Sequence, residues 1–592
     1  MSEVPVPRVL REYALVADGE RGALIGPDGS VSWLCVPRWD SPAVFGGLLG
    51  GSGRYTVTPS DPWHVWGGYY ENGTLIWHSR WVGASAIESR EALAMPADPH
   101  RAVLLRRIEA VDGPARVTVS LDVRGGFGRG RTAEVSRHGD VWTGRSGAVR
   151  FRWSGAAKAR ATRARAADGG LRMTIELAEG AKHELVLEIS DRDLPDEPPD
   201  ADKMWAATEE AWSQVVPDCD DLMAVTDARH AYAVLRGLTS ASGAMVAAAT
   251  TSLPERLEGG RNYDYRYAWI RDQCYAGLAV AAHGPHPLLA GTVRFVTERL
   301  LADGPDLMPA YTVAGEAIPD EKTLRLRGFP GGQARAGNWV RGQFQLDALG
   351  ETLSLLAAAA RHDMLGEDDW RAVSVAAGAI EKRWQEPEAG LWELDNKRWT
   401  HSRLACVSGL RAIASAAAGG AVSGHREAGR WSALADGIMA GLADSVHPSG
   451  RWQRAPDDER VDAALLLPVI RGAVPLDDPR NTATIEAVTR ELASDGFVYR
   501  FRHNAQPLHK AEGAFLLCGF WMALAEHARG NAVAAAHWFE RNRSACGPAA
   551  LFTEEYDVHQ RQLRGNLPQA FVHAGLLECA VTLSRDVRLG GV

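Results

Sequence analysis

Residues 341–360 read RGQFQLDALGETLSLLAAAA and give the clearest secondary-structure signal in the chain. Their apolar side chains recur every three or four positions, which places them on one stripe of a helix. The stripe contains Phe344, Leu346, Leu349, Leu353 and Leu356. A helix with one apolar stripe must bury it against other elements, so this segment predicts a larger helical assembly.

The same helical period continues from about residue 220 to the C-terminus. About twelve stretches show it, at 222–240, 272–284, 286–302, 341–360, 367–384, 400–418, 424–443, 459–470, 480–493, 511–529, 531–543 and 566–586. Twelve helices in about 370 residues predict a ring of six helical hairpins, an (α/α)6 barrel. A solenoid and two separate bundles are the alternatives, although no residue-level repeat of the solenoid type is found.

The connections between these helices alternate in length. Links from odd to even helices are long, at 241–271, 303–340, 385–399, 444–458, 494–510 and 544–565. In a helical barrel these six links lie at the same end, and elaborate loops commonly carry function. The sequence therefore predicts a functional site at that end.

The first third of the chain has the character of β-structure. Short alternating or β-branched segments, separated by turn residues, occur at 53–60, 73–82, 101–111, 115–123, 139–145, 148–153, 172–180 and 182–190. They predict an N-terminal antiparallel β-sandwich over residues 1–190. The acidic, proline-rich stretch 191–202 and a helix at 203–216 predict a connection over residues 191–220, which leaves 221–592 for the catalytic barrel.

Composition excludes several classes of function. The net charge of −9 disfavours a nucleic-acid partner, and a β-hairpin surface explains the arginine-rich stretch 124–139. The N-terminus lacks the apolar core of a signal peptide, and no run is long enough to span a membrane, so we expect a cytoplasmic protein without a membrane partner. The seven cysteines are scattered singly, which favours reduced thiols.

Two loop glutamates next to aromatic residues are the main catalytic candidates. Glu393 follows Trp392 in GLWELDNKRWTHS (390–402), and Glu554 begins the EEYD of LFTEEYD (551–557). Hydrolysis of a glycosidic bond uses two carboxyl groups, one that donates a proton and one that activates water. Taken singly, Glu393 is better explained by helix capping or a salt bridge, and Glu554 by an acidic turn next to a helix.

Other loops supply side chains that suit a sugar pocket. The stretch RNYDYRYAWIRDQCY (261–275) places Arg271 and Asp272 among several aromatic rings, an arrangement that binds hydroxyl groups and packs against pyranose faces. Arg500 and Trp339 lie in further long links, and Glu512 lies at the start of the helix predicted at 511–529, where helix capping also explains it. No metal-binding motif, phosphate loop or nucleophile elbow is present, so no metal and no cofactor are implied.

At this point the chain resembles glycoside hydrolase family 15, the group of glucoamylases, glucodextranases and bacterial trehalase-like enzymes. The resemblance rests on motifs that follow in family order over nearly the whole chain. They are residues 13–51, ASGAMVAAATTSLPE (241–255), RNYDYRYAWIRD (261–272), GNWVRGQFQLDALGE (337–351), GLWELDNKRWTHS (390–402), EGAFLLCGFW (512–521) and LFTEEYD with GNLPQAFVHAGL (551–576).

The resemblance implies an inverting mechanism with Glu393 as general acid and Glu554 as general base. It further implies that a set of residues binds the terminal glucose: Tyr265, Arg271, Asp272, Trp392, Arg500, Glu512 and Phe571. Trp269 and Trp339 complete the expected substrate-binding set as aromatic residues of their own stretches. Tyr263 departs from the family pattern, where tryptophan is common, and the loop 306–332 lacks the pattern of the trehalase-like members. Both departures affect the leaving-group side of the pocket.

The expected function is an exo-acting hydrolase that releases β-glucose from the non-reducing end of a short α-glucoside. Trehalose, isomaltose-type and maltose-type sugars all remain open as substrates. The alternatives are a glycoside phosphorylase of the same architecture and a catalytically inactive sugar-binding protein. The expected partner is a small α-glucoside, and the sequence leaves open whether the chain forms a homo-oligomer.

Overall fold

The computed structural model describes residues 7–162, 170–256, 259–419, 424–503 and 506–589. The N-terminal third forms antiparallel sheets, and the remainder is mainly helical. None of the helices in these ranges is long and apolar enough to cross a membrane. All seven cysteines are free thiols.

Three sheets make up the N-terminal third. The first has four strands in chain order, at Ala14–Ala17, Gly22–Ile25, Val31–Cys35 and Ala43–Phe45. The second has the order Arg160–Ala161, Leu171–Leu177, Ala115–Asp122 and Arg54–Pro59. The third has eight strands in the order Thr132–His138, Val141–Ser146, Val149–Ser154, Lys182–Ser190, Arg101–Asp112, Ala86–Leu93, Trp77–Val82 and Val65–Tyr70.

The second and third sheets meet through buried aromatic rings. Tyr55 of the second sheet contacts Trp153 of the third at a ring-centroid distance of 6.0 Å, edge to face. The predicted antiparallel sandwich is confirmed. The first sheet was not among the predicted strands, because its strands are short and buried along their whole length, so the alternation that marks a half-exposed strand is absent.

A helix at Ala201–Val215 follows the proline-rich segment, where one was predicted at 203–216. Asp200 caps it by accepting a hydrogen bond from the Lys203 amide at 3.1 Å. Arg152 of the eight-stranded sheet donates to the carbonyl groups of Pro195 and Glu197, so the segment before the helix follows the sheet surface. The three predicted domain ranges stay predictions.

In the described residues, twelve helical segments lie at positions that the period predicts, and short turns such as Leu508–Ala511 lie between them. The twelve segments are Val225–Gly237, Ile270–His283, Pro287–Asp303, Leu346–Ala360, Glu367–Arg383, Thr400–Gly419, Gly424–Ala440, the two turns Ala463–Leu466 and Leu467–Ile470, Pro479–Leu492, Leu516–Ala528, Ala532–Arg543 and Ala570–Leu589. The segment predicted at 459–470 consists of two short turns. Pro468 lies in the second turn, and because proline has no backbone N–H it cannot donate the hydrogen bond that would continue a helix from the first turn.

The even-numbered helices form an inner ring and the odd-numbered helices surround it. Each inner helix contacts the next, and the last, Ala570–Leu589, contacts the first, Ile270–His283, which closes the ring. Inner helices such as Leu346–Ala360 are buried on nearly every face, whereas outer helices such as Glu367–Arg383 bury one face only. The predicted (α/α)6 barrel is therefore confirmed.

The six long links precede the N-termini of the inner helices, at one end of the barrel. Short antiparallel pairs organise them, for example Ala268–Trp269 with Ala310–Tyr311. A three-stranded sheet brings Ala514–Phe515 next to Glu555–Asp557 and Gln562–Arg564. These pairings fix residues that are distant in sequence around one opening.

The first sheet supports this end of the barrel. Trp33 donates from Nε1 to the Ala249 carbonyl at 3.0 Å, and Arg266 donates to the Ser41 carbonyl at 2.8 Å. Both contacts reach the link that contains the stretch 261–275. The β-structure thus helps to fix the loop that supplies several candidate site residues.

Candidate active site

A cavity of about 230 Å³ opens at the end of the barrel that carries the long links. Ten of the eleven predicted site residues line it: Tyr265, Trp269, Arg271, Asp272, Trp339, Trp392, Glu393, Arg500, Glu554 and Phe571. Glu512 is the exception. The two predicted catalytic carboxyls therefore face one shared space, although they are separated by more than 150 residues in the chain.

Glu393 lies in a tight loop and has a left-handed backbone, with φ of 54°. Its Oε1 accepts a hydrogen bond from Trp269 Nε1 at 2.8 Å and a longer one from Gln345 Nε2 at 3.4 Å. Within the described ranges, the hydrogen bonds to this carboxyl all go to Oε1. Oε2 is therefore the oxygen that can carry a proton into the cavity.

Aromatic rings form much of the cavity wall. Trp392 donates from Nε1 to Asp462 Oδ1 at 2.8 Å, and its ring packs against Phe515 at 5.2 Å between centroids. Phe571 lies on the other side of Phe515, at 5.7 Å. Trp339 is 47% exposed and lies at the rim. Rings in these places suit the apolar faces of a sugar.

Arg271 and Asp272 begin the first inner helix and point into the cavity. Arg271 donates to Gln345 Oε1 at 2.9 Å, and its guanidinium lies 3.7 Å from both Asp272 Oδ1 and Glu393 Oε1. Burial raises the pKa of Asp272 to about 7, against the lowering effect of Arg271. The pair offers a fixed donor and an acceptor to sugar hydroxyls.

Glu554 lines the same cavity and is buried. Tyr265 OH approaches its Oε2 at 3.2 Å and its Oε1 at 3.4 Å. Burial raises the pKa of Glu554 well above its usual range, and the neighbouring carboxylate of Glu255 raises it further, while Arg500 opposes both. A carboxylate with raised proton affinity is a stronger base once it is ionised.

Glu512 lies behind Arg500 and does not reach the cavity. It accepts hydrogen bonds from Arg500 Nε at 3.2 Å and from Arg261 Nη1 at 3.2 Å, and it also contacts His503 at 3.0 Å. The contact with Arg500 lowers the pKa of Glu512 below its usual range, although burial alone would raise it. The structure thus places this residue as the support of Arg500.

Glu555 follows Glu554 but faces another direction. Its Oε2 accepts a hydrogen bond from the Gly513 amide at 2.8 Å, and its Oε1 lies 3.6 Å from Arg500. Of the two glutamates, Glu554 lines the cavity and Glu555 does not. Both glutamates are buried, so neither points to solvent.

Several residues that shape the site were missed in the sequence. Glu255, Arg261 and Gln345 all hold hydrogen bonds to predicted site residues or their partners. Their motifs, TTSLPE and QFQLD, were recognised, but nothing in the local spacing assigns them a role. Within the described residues, no group of three or more His, Cys, Asp or Glu side chains is arranged to hold a metal ion.

Comparison with known families agrees with this geometry. Residues 228–581 match the model described as Glycosyl hydrolases family 15, and residues 5–155 match one described as Trehalase-like, N-terminal. The chain belongs to glycosyl hydrolase family 15. The resemblance expected from the sequence motifs is confirmed, and the protein is a glycoside hydrolase.

The relatives of this chain include proteins named trehalase and a protein named isomaltose glucohydrolase. The trehalase of Mycolicibacterium smegmatis is 31% identical over 631 residues, which cover 98% of this chain and 92% of that protein. The isomaltose glucohydrolase of Kribbella flavida is 30% identical over 292 residues, which cover 46% of this chain and 69% of that protein.

Among solved structures, a bacterial glucoamylase complexed with acarbose is similar in fold. Its TM-score is 0.71 at 14% sequence identity, and the match covers 98% of this chain and 94% of that chain. The whole two-part architecture of this family-15 protein, sheets followed by barrel, therefore has a counterpart of known structure.

Proposed function

We propose that the protein is an exo-acting, inverting α-glucosidase and that trehalose is its substrate. The observation that supports the mechanism most directly is the presence of both Glu393 and Glu554 in the lining of one cavity. Two carboxyls on opposite sides of a sugar ring provide the acid and the base of an inverting displacement.

Glu393 is the general acid in this proposal. Trp269 and Gln345 hold its Oε1 as a hydrogen-bond acceptor, so the proton resides on Oε2. From there it passes to the glycosidic oxygen as the bond to C1 breaks, and the leaving sugar departs with a complete hydroxyl group.

Glu554 is the general base. It accepts a proton from a water molecule while the oxygen of that water attacks C1 from the face opposite the leaving group. The α-linked glucose unit is therefore released as β-glucose. Tyr265 holds the carboxylate through its hydroxyl group and so keeps the accepting oxygen oriented toward the water.

The size and depth of the cavity support exo action. A volume of about 230 Å³ accommodates a single hexose ring, and Arg271 with Asp272 at the start of the inner helix grips its hydroxyl groups. Trp339 at the rim then contacts the leaving group. In this arrangement only a terminal glucose unit reaches both carboxyls.

The choice of trehalose is supported by the relatives that align along nearly the whole chain, because those at 31% identity are named trehalases. The isomaltose glucohydrolase aligns over less than half of the chain. Trehalose is therefore the first substrate to test, followed by isomaltose and maltose. The cytoplasmic location stays a prediction.

The decisive experiment is hydrolysis of trehalose followed in real time by proton NMR. An inverting enzyme converts each trehalose into one β-glucose and one α-glucose, so the two anomers appear in equal amounts before mutarotation. A retaining enzyme would produce α-glucose alone and would contradict the mechanism. Turnover of isomaltose or maltose without trehalose would keep the mechanism and change the substrate.

The same assay separates the two alternatives. A phosphorylase requires inorganic phosphate and forms glucose 1-phosphate, so the reaction is run with and without phosphate. A sugar-binding protein without activity would give heat of binding in calorimetry but no anomer signal for any of the three disaccharides.

A further inference from the structure

We propose that Glu255 is a positioning residue that strengthens Glu554 as a base, because both carboxyls contact the hydroxyl group of Tyr265 and share one proton. The inference rests on the proposed function, in which Glu554 activates water. Glu255 does not line the cavity and acts only through its neighbours.

The contacts place the two carboxyls in one cluster. Tyr265 OH lies 3.2 Å from Glu255 Oε1 and 3.2 Å from Glu554 Oε2. Gly565 packs beside both side chains, since a Cβ placed on it would lie 3.6 Å from Glu255 Cγ and 3.7 Å from Glu554 Cβ. The Gly565 amide also donates to the Pro254 carbonyl at 2.9 Å, which joins the two loops.

The proton count at Tyr265 favours a protonated carboxyl. The hydroxyl of Tyr265 has a single proton and can donate it to only one of the two carboxyls. Burial also raises the pKa of Tyr265 well above its usual range, so the hydroxyl keeps its proton. An ionised carboxyl that does not receive this proton faces the lone pairs of the phenolic oxygen, whereas a protonated carboxyl can donate to that oxygen.

The surrounding charges decide which carboxyl holds this proton. Arg261 Nε lies 3.0 Å from Glu255 Oε2, so Glu255 is stabilised as a carboxylate. In the described part of the chain, the ion pairs of this cluster go to Glu255, Glu512 and Glu555, and none goes to Glu554. The proton therefore belongs to Glu554 in the empty site.

The wider cluster has more carboxyls than cations, which favours the same assignment. The groups that face Glu554 and Glu255 across the cluster and the cavity are Glu393, Asp272, Glu512, Glu555, Arg261, Arg271, Arg500, His503, Tyr263 and Tyr265. Arg500 is the cation that opposes the high pKa of Glu554, but its own contacts are with Glu512 and Glu555. One extra proton relieves the remaining repulsion.

This arrangement has a consequence for catalysis. The negative charge of Glu255 raises the proton affinity of Glu554, and a base with higher proton affinity removes a proton from water more readily. The enzyme becomes active as the pH rises and Glu554 loses its proton. The acidic limb of the pH profile of kcat/KM therefore reports the charge of Glu255.

The first test compares the pH profiles of kcat/KM for the wild type, Glu255→Gln and Glu255→Asp. Loss of the charge in Glu255→Gln is expected to move the acidic limb to lower pH by about one unit and to lower the plateau of kcat about tenfold. Glu255→Asp keeps the charge and is expected to return the limb toward the wild-type position.

A buried glutamate elsewhere gives the matched control. Glu526 is 4% exposed and pairs with Arg529 on the inner helix Leu516–Ala528, and it does not line the cavity. Glu526→Gln is expected to leave the acidic limb in place. A limb that stays in place in Glu255→Gln, with or without a fall in kcat, would overturn the proposal and leave a structural role.

A second measurement does not depend on turnover. Infrared difference spectroscopy of the unliganded wild type should show a protonated carboxyl at neutral pH that is lost in Glu554→Gln and titrates at lower pH in Glu255→Gln. Absence of this signal in the wild type would overturn the inference even if Glu255→Gln fails to fold. If the wild type hydrolyses no α-glucoside, the proposed function fails, and the infrared titration still decides the proton assignment.

Discussion

The side of the cavity that holds Glu393 and the side that holds Glu554 present different surroundings to their carboxyls. Glu393 faces nitrogen donors from Trp269 and Gln345, and 22% of its side chain is exposed. Glu554 is buried, and a hydroxyl and further carboxyls surround it.

This contrast shows how identical side chains acquire different tasks. Donors that occupy one oxygen of a carboxyl define where its proton must lie, which suits an acid. Burial and neighbouring negative charge raise the proton affinity of a carboxylate, which suits a base. The following changes test each side separately, from the largest expected effect to the smallest.

Replacing either carboxyl is expected to have the largest effect. Glu393→Gln and Glu554→Gln should each lower kcat on trehalose by about two to four orders of magnitude, because general acid and general base catalysis contribute that much. Near-normal turnover in either variant, with circular dichroism unchanged, would refute its assignment.

A substrate with a good leaving group distinguishes the two variants. α-Glucosyl fluoride needs little protonation, so Glu393→Gln should regain much of its activity on it, whereas Glu554→Gln should remain inactive. Equal recovery of activity in both variants would contradict the assignment of Glu393 as the acid and Glu554 as the base.

Removal of the Tyr265 hydroxyl tests the base side alone. Tyr265→Phe keeps the ring that stacks near Tyr263 and meets Trp269 edge to face. It also deletes the contact to Glu554, so kcat is expected to fall by roughly a hundredfold, as when one oriented donor is lost in an active site. The fall should appear in kcat more than in KM, and an effect on KM alone would assign Tyr265 to substrate binding.

Removal of the Trp269 donor tests the acid side. Trp269→Phe retains an aromatic wall but deletes the 2.8 Å hydrogen bond to Glu393 Oε1. A hydrogen bond to the carboxylate that Glu393 becomes as it gives up its proton contributes about 1.5 kcal/mol or more, so kcat/KM should fall about tenfold. Since a good leaving group needs less protonation, the loss should be smaller on α-glucosyl fluoride than on trehalose. A loss of the same size on both substrates would contradict the role in orienting the acid.

The smallest effect on activity is expected from replacing a buried carboxyl that does not line the cavity. Glu351 lies on the inner helix Leu346–Ala360, and burial raises its pKa to about 7. Its stabilising contribution is complete below the pKa of the unfolded chain and is lost as the pH rises through about 7. Between pH 5 and pH 8 the wild type should therefore lose up to about 3 kcal/mol of unfolding free energy that Glu351→Gln does not lose. Denaturant unfolding at both pH values measures the difference, and identical losses would contradict the shift.

Much of the fold could be predicted from the sequence because its signals are local. The period around Leu349 and Leu353 marks an inner helix from the side chains of that segment alone. The small sheet that begins at Ala14–Ala17 was not predicted, because strands buried along their whole length have no alternation.

The site was predicted less completely for a related reason. Motifs around Glu393 and Glu554 identified the two carboxyls and most of the residues around them. Glu255 was missed because its contact with Tyr265, and through it with Glu554, joins chain segments about 290 residues apart. Glu512 was expected to bind the substrate. In the structure it accepts a hydrogen bond from Arg500, and this contact depends on how the loops are placed relative to each other.

The sequence by itself determined the helical barrel and the antiparallel sandwich, and it singled out the two glutamates of the proposed mechanism, since periodicity and short motifs are properties of neighbouring residues. Only the tertiary structure decided which oxygen of Glu393 is held by donors, and that Glu554 shares a tyrosine hydroxyl with Glu255. The reason is physical: the proton affinity of a carboxyl depends on burial and on the charges that folding brings next to it.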